Sequence, residues 1–308
     1  MPVRLFLSSG DLVADRRFDF ARDLQLKGEL VAAADLFAQA TELAPGFASA
    51  WFTLAEIREQ LGERDAAIAA FRKARDADPD DRHGASLRLM LLGAEKLSDM
   101  PPAYVRALFD QYAPKFESAL VGDLGYRGPA LLFKAVLAAR HAVRKPAFFR
   151  RAIDLGCGTG LAASAFAKGV DHFTGIDLSQ RMIEKARAGG LYAELEVADM
   201  LEGLRGRPEA SADLILAADA MVYVADLAPV LKEARRVLVT GGLLAFTVET
   251  YGGDGVVIGE GLRYAHGAIH VRAAIDAAGL GLSQFEELSA RNEDNRPVPG
   301  LVVVAAKI

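Results

Sequence analysis

The sequence has little of several features that mark particular classes of protein. It holds one cysteine, Cys157, which excludes an internal disulfide and favours a reducing compartment. Its formal net charge is −5, whereas a nucleic-acid-binding protein usually carries a basic excess. No apolar run reaches the ~18–20 residues of a membrane span, and the N-terminal apolar segment is too short for a signal peptide. We therefore expect a soluble, cytoplasmic protein with no nucleic-acid partner.

Two further kinds of chemistry-bearing cluster are also missing from the sequence. No group of histidine, cysteine and acidic residues has the spacing of metal ligands, so we expect no metal, and no serine lies in a nucleophile elbow. The chain of 308 residues is, however, 52% hydrophobic. That length and composition predict about two domains with substantial cores.

The first part of the chain repeats itself at an interval of 34 residues. The five matched pairs are Gly28 and Gly62, Ala33 and Ala67, Phe37 and Phe71, Ala40 and Ala74, and Pro45 and Pro79. Glycine at the turn, alanine between the helices and proline after the second helix are typical of tetratricopeptide repeats (TPR). The sequence predicts an N-terminal tail over 1–15 and a TPR-like helical domain over 16–98. This domain serves either to bind a partner or to pack or dimerise, and the sequence leaves both open.

A glycine-rich turn lies between a short apolar run and a helical pattern at Arg151–Gly160. Its spacing is D-x-G-x-G-x-G, formed by Asp154, Gly156, Gly158 and Gly160. Glycine lets the backbone adopt positive φ and approach a ligand closely. Dinucleotide sites favour a different spacing, G-x-G-x-x-G, and a carboxylate before the first glycine would repel a pyrophosphate. The same carboxylate suits a ligand that carries an ammonium or a sulfonium; the alternative is a tight turn without a ligand.

This turn resembles motif I of the class I S-adenosylmethionine-dependent methyltransferases, and the downstream chain has the expected alternation of strands and helices. Such alternation predicts a parallel, doubly wound sheet. Only RNEDNRPVPG separates the last two strands, so the final strand runs antiparallel to its neighbour. The predicted fold class is α/β, a seven-stranded Rossmann-like methyltransferase sheet after an all-α TPR-like domain. A linker at SDMPP places the methyltransferase domain at 101–308, with N-terminal lid helices over 101–148.

The resemblance implies a set of cofactor contacts at the ends of successive strands. Asp177 bonds the ribose, Asp199 bonds the adenine amine, and Asp219 lies beside the methionine portion. Around them it implies contacts from Leu178, Met182, Met200, Ala217 and Cys157, of which Cys157 serves as a small packing residue in the turn. The structural alternative for the acids is helix capping or turn formation, for which aspartate is well suited.

The aromatic segment before the turn resembles the lid of small-molecule methyltransferases of the ubiquinone or Williams–Beuren type. The resemblance makes Tyr112, Phe116, Tyr126 and Arg127 candidates for lining the pocket. Aromatic residues at helical spacing also commonly belong to a core, and that alternative stays open.

The segment after the fifth strand, ETYGGDGVVIGEGLRYAHGAIH, reads as a long loop of little regular structure. His266 and Tyr264 within it are the candidate catalytic residues, with Tyr223 a further pocket candidate. The alternative is a surface turn that leads into the next helix.

The resemblance implies transfer of a methyl group from S-adenosylmethionine to an unidentified small-molecule or protein acceptor. The alternative is a non-catalytic protein that binds S-adenosylmethionine or S-adenosylhomocysteine on the same fold. A nicotinamide-dependent oxidoreductase is a third, weaker hypothesis. The acceptor, the partner of the repeats and the oligomeric state cannot be predicted from the sequence.

Overall fold

The computed structural model describes residues 5–116 and 125–308, and the chain forms two compact units, Met1–Gln111 and Tyr112–Ile308. The part of the predicted lid at 117–124 lies outside the described residues. Within the described ranges, no helix combines the length and the apolar character that crossing a bilayer requires.

The first unit is a series of helices in which each of the first four packs against the next. They are α1 (Leu12–Leu26), α2 (Leu30–Leu43), α3 (Ala48–Gln60), α4 (Arg64–Ala77) and α5 (Ala85–Leu91), followed by α6 (Pro102–Tyr112). Ala33 and Ala67 are fully buried between helices, and Gly28 and Gly62 adopt φ of 81° and 80° in the turns. The predicted helical repeats are therefore confirmed.

The N-terminal tail is shorter than the predicted 1–15. Helix α1 begins at Leu12, because the Asp11 carboxylate accepts hydrogen bonds from the amides of Val13 and Ala14. A side-chain acceptor at this position satisfies amides that the helix itself leaves unpaired. Residues 12–15 therefore form the first turn of α1.

The second unit contains a large sheet with helices on both faces. The strands of this sheet are β1 (Phe149–Leu155), β2 (Val170–Asp177), β3 (Glu194–Val197), β4 (Ala212–Ala217), β5 (Leu238–Tyr251), β6 (Val256–Ile258), β7 (Tyr264–Gly267), β8 (Leu280–Glu287) and β11 (Gly300–Lys307). A separate two-stranded sheet consists of β9 (Asn292–Glu293) and β10 (Arg296–Pro297). Its helices are α7 (Gly128–Ala142), α8 (Leu161–Phe166), α9 (Gln180–Gly189), α10 (Met200–Arg205), α11 (Ala228–Val237) and α12 (Ala268–Ala277).

Seven strands follow the order β3-β2-β1-β4-β5-β11-β8 across the sheet. The five strands from β3 to β5 are parallel, whereas β11 is antiparallel to both β5 and β8. Side chains alternate between two cores: Leu214 and Leu216 of β4 enter one, and Ile215 and Ala217 enter the other. The predicted doubly wound sheet with an antiparallel last strand is confirmed.

The segment after β5 is more regular than predicted. Strand β5 continues to Tyr251, β7 pairs with it in parallel, and β6 pairs antiparallel with β7. All four residues of β7 are buried, so RYAH belongs neither to a long open loop nor to a surface turn. The glycines obscured the strands, because glycine is poor in strand propensity but permits close backbone packing.

Candidate functional site

The glycine turn joins β1 to α8, and its three glycines have φ of 65°, 54° and 98°. At Gly156 a Cβ would lie 2.5 Å from the Cβ of Ala220, and at Gly160 a Cβ would lie 3.1 Å from the ring of Tyr192. At Gly158 it would lie 3.6 Å from the ring of Phe116, which is ordinary contact. Backbone conformation therefore requires glycine at all three positions, and close packing adds to that requirement at the first and third.

Asp154 lies at the end of β1 with its carboxylate beneath the turn. It is 1% exposed, and its Oδ2 accepts a hydrogen bond of 2.7 Å from the Tyr192 hydroxyl. Its Oδ1 has no hydrogen-bond partner among the described residues. Burial raises the pKa of Asp154 to about 7, and the charge of Asp177 adds to this, while the bond from Tyr192 opposes it. A cationic ligand near this carboxylate would relieve part of the cost of its burial.

Cys157 is 5% exposed, and its amide donates to the carbonyl of Ile176 at 3.0 Å. Burial raises the pKa of its thiol, so the nucleophilic thiolate is disfavoured. The residue packs between the turn and β2, as a small side chain in this place should.

Asp177 connects the end of β2 to the glycine turn. Its Oδ2 accepts a hydrogen bond of 2.8 Å from the amide of Gly158, and its Oδ1 accepts one of 2.8 Å from the amide of Ser179. A carboxylate thus engages a turn amide that a pyrophosphate would need in a dinucleotide site. Next to it, Leu178 is half-buried, whereas Met182 is fully buried on α9.

Asp199 caps α10, because its Oδ1 accepts a hydrogen bond of 2.8 Å from the amide of Leu201. Met200 is half-buried and packs against the core on one face of the sheet. The capping interaction is the structural alternative that the sequence left open, and it leaves the predicted adenine contact a prediction.

Asp219 follows the fully buried Ala217 at the end of β4 in a left-handed conformation with φ of 57°. Its amide donates to the hydroxyl of Thr247 at 2.8 Å, and its carboxylate pairs with Arg291. An aspartate tolerates this backbone conformation better than most side chains.

Arg291 is the centre of a buried ion-pair cluster that sequence reasoning missed. It is 3% exposed and pairs with Asp219, Glu249 and Glu293, while Arg263 pairs with the same two glutamates. Burial alone would lower the pKa of Arg291, but the charges of Asp219 and Glu249 outweigh it and hold the pKa above its usual value. The cluster joins the carboxyl ends of β4 and β5 to β9.

Two tyrosines from the predicted lid lie near this cluster. Burial raises the pKa of Tyr126 well above its ordinary value, and the charges of Asp219 and Asp154 add to the effect. Burial likewise raises the pKa of Tyr112, which also senses Arg263. Arg127 is exposed, and it donates to the carbonyls of Ala290 at 2.7 Å and Ser289 at 3.0 Å. The structure thus brings Tyr112, Phe116 and Tyr126 to the same sheet edge as the acids, while Arg127 holds the chain beside Arg291.

His266 and Tyr264, the predicted catalytic residues, are both fully buried in β7. The Nε2 of His266 lies 3.1 Å from the carbonyl of Val224, and its Nδ1 has no partner in the part of the chain that is described. Burial and the neighbouring His270 lower the pKa of His266 to about 4, so the ring is neutral near pH 7. The geometry favours a packing role for both side chains, and their catalytic role stays a prediction.

Comparison with known proteins finds one family match within each of the two units. Residues 153–246 match a family model described as a methyltransferase domain, and residues 24–91 match one described as a tetratricopeptide repeat. The fold and the turn therefore define a class I S-adenosylmethionine-dependent methyltransferase domain, preceded by TPR repeats. S-adenosylmethionine is the cofactor of this domain.

Individual relatives share this domain. A sterol 24-C-methyltransferase from Gibberella zeae is 29% identical over 48% of this chain and 43% of its own length. A ubiquinone biosynthesis O-methyltransferase from Xylella fastidiosa is 31% identical over 46% of this chain and 58% of its own length. A solved S-adenosylmethionine-dependent methyltransferase from Leishmania major has the same fold, with a TM-score of 0.54 and 16% identity over 70% of this chain and 89% of its own. The chain thus spans about half the length of the relatives it matches by sequence.

Proposed function

We propose that this protein transfers a methyl group from S-adenosylmethionine to a small-molecule or protein acceptor. The observation that carries the proposal is the hydrogen bond from Gly158 to Asp177, which places a carboxylate at the centre of the glycine turn. With Asp154 beneath the same turn, two carboxylates replace the cationic or neutral surroundings that a pyrophosphate requires. This charge favours a cationic cofactor over a nicotinamide dinucleotide.

The residues at the sheet edge have proposed roles toward that cofactor. Asp177 accepts hydrogen bonds from the ribose hydroxyls, and Leu178 and Met182 pack beside the adenine. Asp199 accepts a hydrogen bond from the adenine amine, and the amide of Met200 donates to a ring nitrogen. The methionine portion lies beside the glycine turn and the end of β4, that is, beside Gly156, Gly158, Gly160, Ala217 and Asp219. When bound, the cofactor supplies a methyl group already activated by its sulfonium.

The protein's own contribution is alignment and exclusion of water. Holding two reactants in line can lower a barrier by ~7–11 kcal/mol. Tyr112, Phe116 and Tyr126 provide apolar cover at the sheet edge, and the fixed ion-pair cluster around Arg291 keeps the ends of β4 and β5 in place. His266 and Tyr264 remain the proposed catalytic residues. Both side chains are fully buried, so a catalytic role requires that β7 moves to expose them.

The repeats have a proposed role in binding a protein partner or in dimerisation. Fully buried alanines and phenylalanines hold their helices together, so the unit has a core of its own and a surface that methyl transfer does not require. The names of the relatives refer to a sterol and to ubiquinone biosynthesis, which favours a small apolar acceptor over a nucleic acid.

A labelled-methyl assay tests the catalytic proposal. A lysate from a strain that lacks the protein is incubated with labelled S-adenosylmethionine and purified wild type, Asp177→Ala or Asp171→Ala. Asp171 is an exposed aspartate on the same strand and serves as the matched control. We expect a species labelled by wild type and by Asp171→Ala but not by Asp177→Ala. Equal labelling by all three would contradict the proposal, and binding of S-adenosylhomocysteine without any labelling would support the non-catalytic alternative.

A further inference from the structure

The N-terminal segment Leu5–Gly10, which we call the strap, forms neither a helix nor a strand and lies on the first unit. Its side chains alternate in exposure: Leu5, Leu7 and Ser9 are partly buried, whereas Phe6, Ser8 and Gly10 are exposed. This period of two is that of a strand with one face on a surface. The strap has no β-strand partner in the described structure, so its contacts are made with helices instead.

The side chain of Ser49, at the start of α3, binds both the amide and the carbonyl of Leu7 in the strap. Ser49 Oγ accepts a hydrogen bond of 2.8 Å from the amide of Leu7 and donates one of 3.3 Å to the carbonyl of the same residue. His83 Nε2 lies 3.0 Å from the same hydroxyl, and Ser49 itself is 1% exposed. With the proton of His83 on Nε2, these three contacts use the donor and both acceptor sites of the hydroxyl. Ser49 thus contacts the backbone of the strap and does not depend on the identity of the side chain at that position.

Aromatic rings contact Phe6, the residue of the strap that precedes Leu7. The ring of Phe6 lies 5.2 Å from that of Phe18 and 6.0 Å from that of Phe47, between centroids. Phe18 in turn contacts Phe37 at 5.1 Å and Phe47 at 5.1 Å. Phe6 nevertheless remains 43% exposed, so it lies on the aromatic cluster without becoming part of the core. Release of the strap therefore uncovers Phe18, Phe47 and Ser49, which are 2%, 1% and 1% exposed while the strap is bound.

The other end of the strap is tied to α1 by hydroxyl groups. Ser8 Oγ donates to Asp15 at 2.5 Å, and the Ser9 amide and hydroxyl donate to the same carboxylate at 2.9 Å and 2.6 Å. Gly10, with φ of 79°, then turns the chain into the helix. The strap itself carries no charged side chain, and the charge that faces it here is that of Asp15.

We propose that the strap is an internal occupant of a peptide-binding site, formed by Ser49, His83 and the Phe18–Phe47 aromatic pair. The partner is an extended, uncharged segment of another protein with apolar side chains at the positions of Leu5 and Leu7 and an aromatic ring between them. The strap and this segment compete for the same contacts, so the strap limits access to the site. The inference rests on the proposed partner-binding role of the repeats and is independent of methyl transfer.

The test uses the full chain and a fluorescent peptide, capped at both ends, that carries the sequence of the strap, LFLSSG. In the double variant Leu5→Ser/Leu7→Ser the strap loses its two inward apolar side chains, and we expect it to bind the peptide saturably by anisotropy. Wild type should bind about tenfold more weakly or worse, because a tethered competitor acts at a millimolar effective concentration. Adding Ser49→Ala to the double variant should weaken binding about fivefold through the lost hydrogen bonds.

Two controls and a second measurement make the outcome decisive. A scrambled peptide should not bind. Phe20 on α1 is 60% exposed, and adding Phe20→Ala to the double variant should leave the affinity for the strap peptide unchanged. In wild type, excess peptide should accelerate hydrogen exchange at the Leu7 amide, which the strap contact protects. The inference is overturned if the double variant binds neither peptide, binds both equally, or dimerises by exchanging straps in place of binding. These results leave the methyl-transfer proposal untouched, since it is measured by label transfer.

Discussion

At the residue scale, two separate reasons explain why the turn contains glycine: the backbone conformation of each position and the space available for a side chain there. Gly156 and Gly158 share positive φ, but a Cβ at Gly156 would overlap Ala220, while one at Gly158 would only touch Phe116. The two positions therefore form a matched pair. The D-x-G-x-G-x-G spacing predicted the turn, whereas the identity of the packing partners could not be read from it, since Ala220 lies 64 residues further along the chain.

The first prediction concerns the free energy of unfolding of these two variants. Gly156→Ala should lower it by about 2–4 kcal/mol, from strain and overlap together, and Gly158→Ala by about 1–2 kcal/mol, from strain alone. Adding Ala220→Gly to Gly156→Ala should restore the overlap part. Urea denaturation of wild type, Gly156→Ala, Ala220→Gly and the double variant measures the coupling between the two positions, and strictly additive effects would contradict the packing explanation.

A second residue-scale prediction concerns pH. Because the pKa of Asp154 is raised to about 7 in the folded protein, the native state binds its proton more tightly than the unfolded chain. The associated stability is present below about pH 4 and is lost as pH rises toward 7, by at most about 4 kcal/mol. In the absence of cofactor, Asp154→Asn should therefore show a smaller fall in unfolding free energy between those pH values. An identical pH profile in variant and wild type would refute the burial of an ionisable carboxylate there.

At the element scale, the ends of β4 and β5 are held to β9 by side chains that lie far apart in the sequence. Asp219 and Arg291 are separated by 72 residues, and Glu249 lies between them. Strand alternation predicted the order of elements in this domain, but ion pairs across elements leave no local signal. The sequence signal that was present is Glu249, a further acid at the end of a strand, in line with Asp177, Asp199 and Asp219.

The ion-pair cluster predicts an asymmetry between buried and exposed arginines. Arg291→Met leaves the carboxylate of Asp219 without its counter-charge and Glu249 with Arg263 alone, and should cost about 3–5 kcal/mol of stability. Arg205→Met removes an exposed pair with Glu202, of which the side chains are 55% and 64% exposed, and should cost about 1 kcal/mol or less. Thermal denaturation of both variants compares them directly, and losses of equal size would argue against the cluster as a structural clamp.

The helical repeats offer another matched pair of glycines. Gly62 and Gly46 both have open space where a Cβ would lie, but only Gly62 has positive φ, at 80°. Gly62→Ala should destabilise the protein by about 1 kcal/mol, while Gly46→Ala should be neutral or stabilise it by up to about 1 kcal/mol. Denaturation of the two single variants decides the matter, and the turn geometry would be wrong if both behaved alike.

At the scale of the whole molecule, the sequence predicted the two kinds of architecture because each has a regular period. The 34-residue repeat and the strand–helix alternation can be recognised even where single residues depart from the pattern, and both are present in the structure. The structure differs from the prediction where a local feature determines the start or end of an element. Asp11 starts α1 early by capping it, and glycines in 251–267 conceal two short strands.

The central claim is that the glycine turn with its two carboxylates selects a cationic methyl donor over a dinucleotide. Calorimetric titration of the purified chain with S-adenosylmethionine, with its uncharged-sulfur product S-adenosylhomocysteine and, separately, with NADH tests it most directly. We predict saturable binding of S-adenosylmethionine and S-adenosylhomocysteine to one site per chain, weakened about tenfold to a hundredfold in Asp177→Ala, and no binding of NADH. Binding of NADH without binding of S-adenosylmethionine or S-adenosylhomocysteine would contradict the account.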